Sequence, residues 1–393
     1  MHHRIPKLVD AFKGDSAGVV KELREAADKR QLRLTDMPLP QLLSDLCGHR
    51  RFVEWVADEG MPLKRLEEAA GVSTGAFQAI VDPFVQSSAM AAYENAEFVF
   101  SKLIPKRSTV KRWEILRGLG KIGDEALVVG EGKQYPEATV SPDWIQTPEV
   151  KKRGFVVSVT KEMMKFDETG VLNDRLTGQA ESMGISNEKR ACACIADAGE
   201  SATNGYYRHV WQGTSYATYQ TSTPWDNVTA SNALVDFATV DAARQTFLAL
   251  TDPQTGEPLN FSIKDVIVPP ALAMKAVLAL TNGNVTMAVG GYPTSGNPVR
   301  SESPNPIYTV LGPMRLLGAN SQYFRNASGS DTAWFVGDIA GAFEYLEVEP
   351  MTVKTQGEDS ESAFNADVVM RVKVSEWGTY FTKQPRKMSK CTA

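Results

Sequence analysis

Between Leu172 and Ala198 the small and apolar residues recur at the period of one helical face. Leu172, Leu176, Ala180, Met183, Asn187, Ala191, Cys194 and Ala198 are separated by 4, 4, 3, 4, 4, 3 and 4 residues, with Asn187 the only strongly polar member. At ~1.5 Å per residue this predicts a helix about 40 Å long. Asp174, Glu181, Glu188, Lys189 and Arg190 fall elsewhere on the cylinder. Gly178 and Gly184 each cost it about 1 kcal/mol relative to alanine, so tertiary packing must hold it. Ahead of it, Lys151-Lys152-Arg153-Gly154 leads into strand-like Phe155 to Thr160, and Lys161 to Gly170 turns the chain into the helix. Strand, turn and long helix make a rigid strut with no chemistry on it, a part suited to building assemblies.

The chain before the strut has little core of its own. Lys7 to Leu34 is charged and helix-prone, with Leu8, Phe12, Val19, Val20 and Leu23 on one side, which predicts a solvated amphipathic helix or arm. Pro38, Pro40, Gly48, Gly60, Pro62 and Gly71 then cut the sequence into short helical pieces such as Leu42 to Val56, which must pack on something larger. Ala89 to Phe100 resumes helical spacing, and Lys102, Lys106, Arg107, Lys111 and Arg112 follow as a basic cluster. A solvated face is the first reading of that cluster. Trp113 and Ile115 within it read first as a period-two strand and second as stacking residues for single-stranded nucleic acid. Leu116 to Thr147 is an excursion of about 30 residues punctuated by Gly and Pro, of a length a compact domain keeps when the loop has a job or lies on another subunit.

After the strut, Tyr206, Tyr207, Trp211, Tyr216, Tyr219 and Trp225 cluster, as a core edge or interface first and a platform for sugars or bases second. An α/β unit follows. Thr239 is placed to cap a helix from Val240 to Leu250, Ile263 to Val268 reads as a strand, and Pro270 opens a helix closed by Asn282-Gly283. Gly290 to Pro306 is a loop, before strand-like Ile307 to Leu311, Met314 to Leu317, Trp334 to Val336 and Phe343 to Val348. Val368, Met370, Val372 and Val374 then alternate with Asp367, Val369, Arg371, Lys373 and Ser375, giving a strand with one apolar face. Lys383, Arg386, Lys387 and Lys390 read first as a solvated basic tail and second as a contact with packaged nucleic acid.

No motif in the sequence carries recognisable chemistry. His2, His3, His49 and His209 lack metal spacing, and Cys192 and Cys194 point about 200° apart on a helix. Gly130-Glu-Gly-Lys133 fails as a phosphate loop, with Leu127 where a glycine is needed and Gln134 where Ser or Thr is needed. No catalytic residue, metal or cofactor is expected. The net charge of -5 excludes a protein whose whole surface clings to nucleic acid. Four cysteines without a framework predict reduced thiols, and neither a signal-peptide core nor a span of roughly 18 apolar residues is present, so a soluble product of the cytoplasm is expected. With 393 residues, 42% of them hydrophobic, the chain can bury a sizeable core in two or three subdomains.

Two series of residues have a recognisable order. The first is Glu131-Gly-Lys-Gln-Tyr-Pro136, Trp144-Ile-Gln-Thr-Pro148, Lys152-Arg-Gly154, Val159-Thr-Lys-Glu162 and Phe166-Asp-Glu-Thr-Gly170; the second is Phe335-Val-Gly-Asp-Ile339, Phe343-Glu-Tyr345 and Gly357, with Asp367 opening the return strand. Together with the order of parts they resemble the major capsid proteins of tailed bacteriophages with the Hong Kong 97-type fold, over roughly Tyr93 to Pro385. The resemblance implies an α+β chain with a helical arm at 1–92, an extended loop and its base at 93–150, and a peripheral domain with the spine helix at 151–239. An inserted axial domain at 240–345 and a return strand with basic tail at 346–393 complete it.

It further implies pentamers and hexamers that self-assemble into an icosahedral shell around double-stranded DNA, made in the bacterial cytoplasm and kept in the virion. Portal, scaffolding and decoration proteins are the implied partners. Trp113, Lys133, Tyr135, Trp144, Lys152 and Arg153 become candidate intersubunit contacts, and Lys383, Arg386, Lys387 and Lys390 candidate nucleic-acid contacts. Some relatives join a loop lysine to an asparagine with help from a glutamate. Lys133 and Asn365 are the candidate counterparts here, but Val372 stands at the glutamate position, so no cross-link is expected. Two rival readings are an encapsulin-type nanocompartment shell and a carbohydrate-acting enzyme built on the aromatics near Trp211 and Trp225.

Overall fold

The computed structural model describes residues 92–93, 98–117, 128–134, 144–160, 171–199, 206–222, 224–252, 256, 258–259, 261–281, 284–285, 295–296, 314–356 and 368–393. The expectations for the arm at 1–91, for Asn282-Gly283, for Ile307 to Leu311 and for Asn365 lie outside them. The architecture is α+β, in two compact units. One holds Met1–Phe98, Lys152–Ser186 and Glu349–Trp377; the other holds Val99–Lys151, Asn187–Val348 and Gly378–Ala393.

In the first unit, the alternating pattern makes the sheet it predicts. Strand Lys152–Thr160 runs antiparallel to the start of strand Val368–Thr382, with Phe155 opposite Val374, Val157 opposite Val372 and Lys152 opposite Trp377. Val372 and Val374 are buried, along with Met351 of strand Phe343–Gln356, so one face is apolar. The long helix is Val171–Ala196, 26 residues, close to its expected bounds. Ala180 and Met183 on its predicted stripe are fully buried. Gly184, a weak point by propensity, is a point of contact: a Cβ there would stand 2.6 Å from the Phe98 ring and 2.7 Å from the Tyr93 carbonyl.

The second unit takes over the helix from Asn187, where a one-faced stripe no longer describes it. Ala191 to Ala196 are all buried, as are Asn187, Glu188 and Arg190. They sit in a core with Phe100, Ile104, Tyr206, Phe324, Phe335 and Tyr380. Glu188 and Arg190, expected off the apolar face, are therefore interior groups. The helix stops where Asp197 takes a φ of 50 and Gly199 a φ of 106, and Ala198, counted on the stripe, is exposed beyond its end. Asp197 gathers the following segment: its carboxylate accepts from Tyr206 Oη at 2.6 Å, Arg208 Nε at 2.9 Å and Thr218 N at 3.0 Å.

Asn187, the polar member of the stripe, accepts at Oδ1 from Tyr380 Oη at 2.9 Å and Arg190 Nη2 at 3.3 Å. Leucine there would remove this acceptor from a buried hydroxyl and a buried guanidinium. We expect Asn187→Leu to lower the unfolding free energy by about 2 kcal/mol in a urea titration; an unchanged midpoint would mean that this hydrogen-bonded contact contributes nothing.

A five-stranded sheet lies in this unit, in the order Val228–Thr229, Met388–Cys391, Trp334–Gly337, Asp265–Ile267 and Arg315–Leu317. Strand Trp334–Gly337 reads as a continuous apolar run because both of its faces are covered. Trp334 and Val336 join Leu234, Val240, Val266 and Ala276 in one core, while Phe335 joins the helix-end core. Helices Phe237–Leu248 and Ala273–Thr281 contribute to the former. The first begins earlier than expected because Asp236, not Thr239, is its cap and accepts from Ala238 N and Thr239 N.

The expected basic tail is not a tail. Pro385–Lys387 forms a 3₁₀ turn and Met388–Cys391 an interior strand, parallel to Val228–Thr229 and antiparallel to Trp334–Gly337. Buried Asn227 ties it down, its Nδ2 lying 2.9 Å from the Thr218 carbonyl, 3.1 Å from that of Pro385 and 2.9 Å from that of Met388. Four charges close together look solvated in one dimension; here their apolar neighbours Met388 and Cys391 decide the placement.

Candidate intersubunit surface

A smaller sheet in the second unit carries the base of the long loop, in the order Ile115–Arg117, Trp144–Gln146, His209–Trp211 and Thr214–Tyr216. Its last two strands are joined by Gln212 and Gly213, with φ of 48 and 84, the two left-handed residues that a tight hairpin needs. Gln212 N also bonds the Trp144 carbonyl at 3.2 Å, locking the strands together.

Trp113 lies in a bend just before this sheet, so the expected strand starts two residues later, at Ile115. The bend is held at both ends. Thr109 Oγ1 bonds Glu114, Glu114 N bonds Thr147 Oγ1 at 2.7 Å, Val150 N bonds the Arg112 carbonyl at 3.1 Å, and Arg112 pairs with Glu149. A shallow hollow is lined by Lys111 to Ile115. Pinned this way, apolar groups point outward: Trp113 is 49% exposed, Ile115 43% and Val110 96%; farther along the chain Val128 is 99% exposed. A chain does not gain by ordering such groups in water, whereas a second surface would cover them.

Among the other candidates, Lys133 is exposed in a turn closed by its N–H on the Gly130 carbonyl at 3.0 Å. Trp144 is half-buried in the small sheet, and Tyr135 lies outside the described residues. Lys152 and Arg153 belong to the first unit. Lys152 is exposed opposite Trp377, and Arg153 stands opposite Glu376, whose carboxylate accepts from Tyr93 Oη at 3.1 Å.

Several basic residues around Lys106 and at the C-terminal end are engaged within the fold. Arg107 and Lys383 share Glu344, at 2.8 and 3.4 Å, and Lys106 lies 3.7 Å from Glu347. Arg386, 4% exposed, pairs with equally buried Asp252 at 3.2 Å, which corrects its expected role: a guanidinium enclosed with its carboxylate cannot reach a phosphate. Lys387 lies over the Phe261 ring at 5.5 Å and Lys390 over Phe335 at 5.9 Å, both half-buried.

The aromatic cluster packs on itself. Trp225, buried, meets His209, Tyr216 and Trp211 at centroid distances of 5.4, 5.5 and 6.5 Å, which makes it a core edge and not an open platform. His209 Nδ1–H donates to the Thr382 carbonyl at 3.1 Å. Burial, reinforced by the charge on Arg386, pushes its pKa down from 6.5 to about 4. The unfolded chain takes up a proton at a pH where the folded chain refuses it. The His209 contribution is thus complete above pH 6.5 and is lost as pH falls toward 4. At ~1.4 kcal/mol per pH unit this is about 3 kcal/mol. Urea midpoints measured across that window should fall less steeply in His209→Gln, and parallel profiles would contradict the assignment.

Cys192, Cys194 and Cys391 are unpaired and buried, and burial pushes their thiols up, Cys391 to about 12. Among the described residues no three His, Cys, Asp or Glu are grouped to hold a metal ion, and no helix is long and apolar enough to cross a membrane.

A family model described as phage capsid protein matches residues 145–389. No curated protein matches the chain. Among solved structures it is similar to the capsid of the cyanophage P-SCSP1u, at 11% identity over 75% of this chain and 88% of that chain, with a TM-score of 0.46. It is similar to the capsid of an empty GTA particle at 13% identity, covering 76% of this chain and 90% of that one, with a TM-score of 0.46. A Mycobacterium phage Adephagia chain gives 13% identity, 75% and 89% coverage and a TM-score of 0.45.

Proposed function

The chain belongs to the phage capsid protein family, and on that premise we propose that it is a major capsid protein whose copies build an icosahedral head around double-stranded DNA. Its role is structural and not catalytic. Pentamers and hexamers form through the axial part, 240–345; the peripheral parts, 151–239 and 346–393, join capsomers; the loop and its base, 93–150, lie across a neighbour; and 1–92 form the arm. Assembly takes place in the bacterial cytoplasm, with portal, scaffolding and decoration proteins as partners.

The observation that supports this most is the loop base. Val110, Trp113 and Ile115 are held outward on a braced segment, as an intersubunit contact requires, and exposed Val128 and Lys133 and half-buried Trp144 follow later in the chain. Trp113→Glu tests it. Removing about 1.5 kcal/mol or more of apolar burial per contact weakens each contact about tenfold. Shell yield in a sucrose gradient should therefore collapse while the unfolding midpoint of the free chain stays put. Shells at parental yield would contradict the assignment.

Cross-linking is not part of the proposal. Val372 is a buried strand residue, and boiled particles should run as one band near 43.0 kDa.

A further inference from the structure

In the first unit, the sheet face opposite Val372 and Val374 is basic. On strand Val368–Thr382 it presents Arg371, Lys373, Ser375 and Trp377 at every second residue, about 6.7 Å apart. Ser158, Val156, Gly154 and Lys152 stand opposite them on strand Lys152–Thr160. On the neighbouring strand Phe343–Gln356, Thr352 Oγ1 lies 3.3 Å from Ser375 Oγ, which sets Thr352, and two residues on Lys354, on the same face. Lys152, Lys354 and Lys373 are exposed, Arg371 half-buried, and Val156 is 60% exposed between them. Among the described residues, no Asp or Glu of this unit alternates onto this face.

These cations differ from others in the chain. Arg107, Arg315 and Arg386 each have a carboxylate at hydrogen-bond distance. Lys152, Lys354, Arg371 and Lys373 have no ion-pair partner among the described residues, and Arg371 Nε is buried without an acceptor. Like charges gathered on one sheet face repel each other, and a chain of net charge -5 has carboxylates enough to neutralise them. Their repulsion is relieved by an anion from outside.

We infer that this face binds the phosphate backbone of nucleic acid by charge, without reading bases. A flat row of point charges at regular spacing suits a continuous polyanion, and lysines and arginines on phosphate oxygens are the usual means of sequence-independent binding. The inference deepens the reading of a DNA-enclosing shell and rests on it. It places the nucleic-acid contact on the strand face and not on Lys383 to Lys390.

The test uses the full chain and a fluorescent duplex of mixed sequence, titrated between about 50 and about 200 mM salt. In Lys354→Gln/Arg371→Gln/Lys373→Gln, the slope of log affinity against log salt should become shallower by about 2.7, at ~0.9 for each phosphate no longer neutralised. Shells in the microscope should be unchanged. Parental affinity and slope in the variant would overturn the inference, as would an unmodified chain that does not bind the duplex. Loss of shells with duplex binding intact would also overturn it, assigning the face to an acidic surface of a second copy, such as the segment with Glu358, Asp359 and Glu361. Failure of the unmodified chain to form shells sinks the shell reading alone, since the titration reports on the face either way.

Discussion

Glu188→Ala should lower the unfolding free energy by about 4 kcal/mol, a large loss for a single buried polar side chain. Glu188 is 2% exposed on the long helix. Its Oε1 accepts from the backbone N–H of Val99 at 3.1 Å and Phe100 at 2.9 Å, and its Oε2 from Ser101 at 2.9 Å. Helix Phe100–Leu103 begins there, and Val99 offers no side-chain cap of its own. The first N–H groups of a helix have no partner within it, so the carboxylate is their acceptor.

Each hydrogen bond to a charged group contributes ~1.5–3 kcal/mol, and three on one carboxylate do not add fully. Glu188→Gln, which keeps one acceptor oxygen, should lose about half as much. Urea titrations followed by circular dichroism measure both. A midpoint for Glu188→Ala within experimental error of the parent would show that the three N–H groups do not depend on this carboxylate.

Gly337→Ala should act on a similar scale through the backbone. Gly337 ends strand Trp334–Gly337 at a φ of 150, and a Cβ there would stand 2.1 Å from the Lys387 carbonyl oxygen and 2.9 Å from Met388 Cα. Those atoms belong to the segment that runs into strand Met388–Cys391, and the Asp338 N–H bonds the same Lys387 carbonyl at 2.9 Å. No side-chain rotation relieves the clash, so the last strand must move away from its neighbour. Overpacking and a disfavoured φ together cost about 4 kcal/mol, which corresponds to a drop of about 10 °C in Tm for a domain of this size. The amides of Met388 to Cys391 should exchange faster than the parent's. Unaltered exchange with an unaltered Tm would mean that the sheet yields at no cost.

How far the sequence reveals this fold depends on whether a feature is local. The strut is periodic, and its helix lies within two residues of its expected ends. The alternation at Val368 to Ser375 gives its strand and its buried face directly. Glu188 and Arg190 escape such counting because a periodic stripe presumes one buried side, and the helix end is enclosed all round. The C-terminal basic residues escape it for another reason. Lys383 and Arg386 have partners, Glu344 and Asp252, that are distant in sequence, so charges that are paired look unneutralised. The converse holds for Arg371 and Lys373, whose period-two spacing is plain but whose company with Lys152 and Lys354 appears only once the strands are in register.

Exposed aromatic and aliphatic groups are legible as residue types and not as a surface. Trp113 is visible in the sequence as part of a strand or a stacking group; that Glu114, Thr147 and Arg112 brace it outward is a property of the folded loop base.

Negative-stain electron microscopy of the purified chain, paired with light scattering across a dilution series, tests the capsid assignment most directly. Closed shells of uniform diameter with icosahedral outlines are the expected result. A monodisperse monomer at every concentration would contradict it.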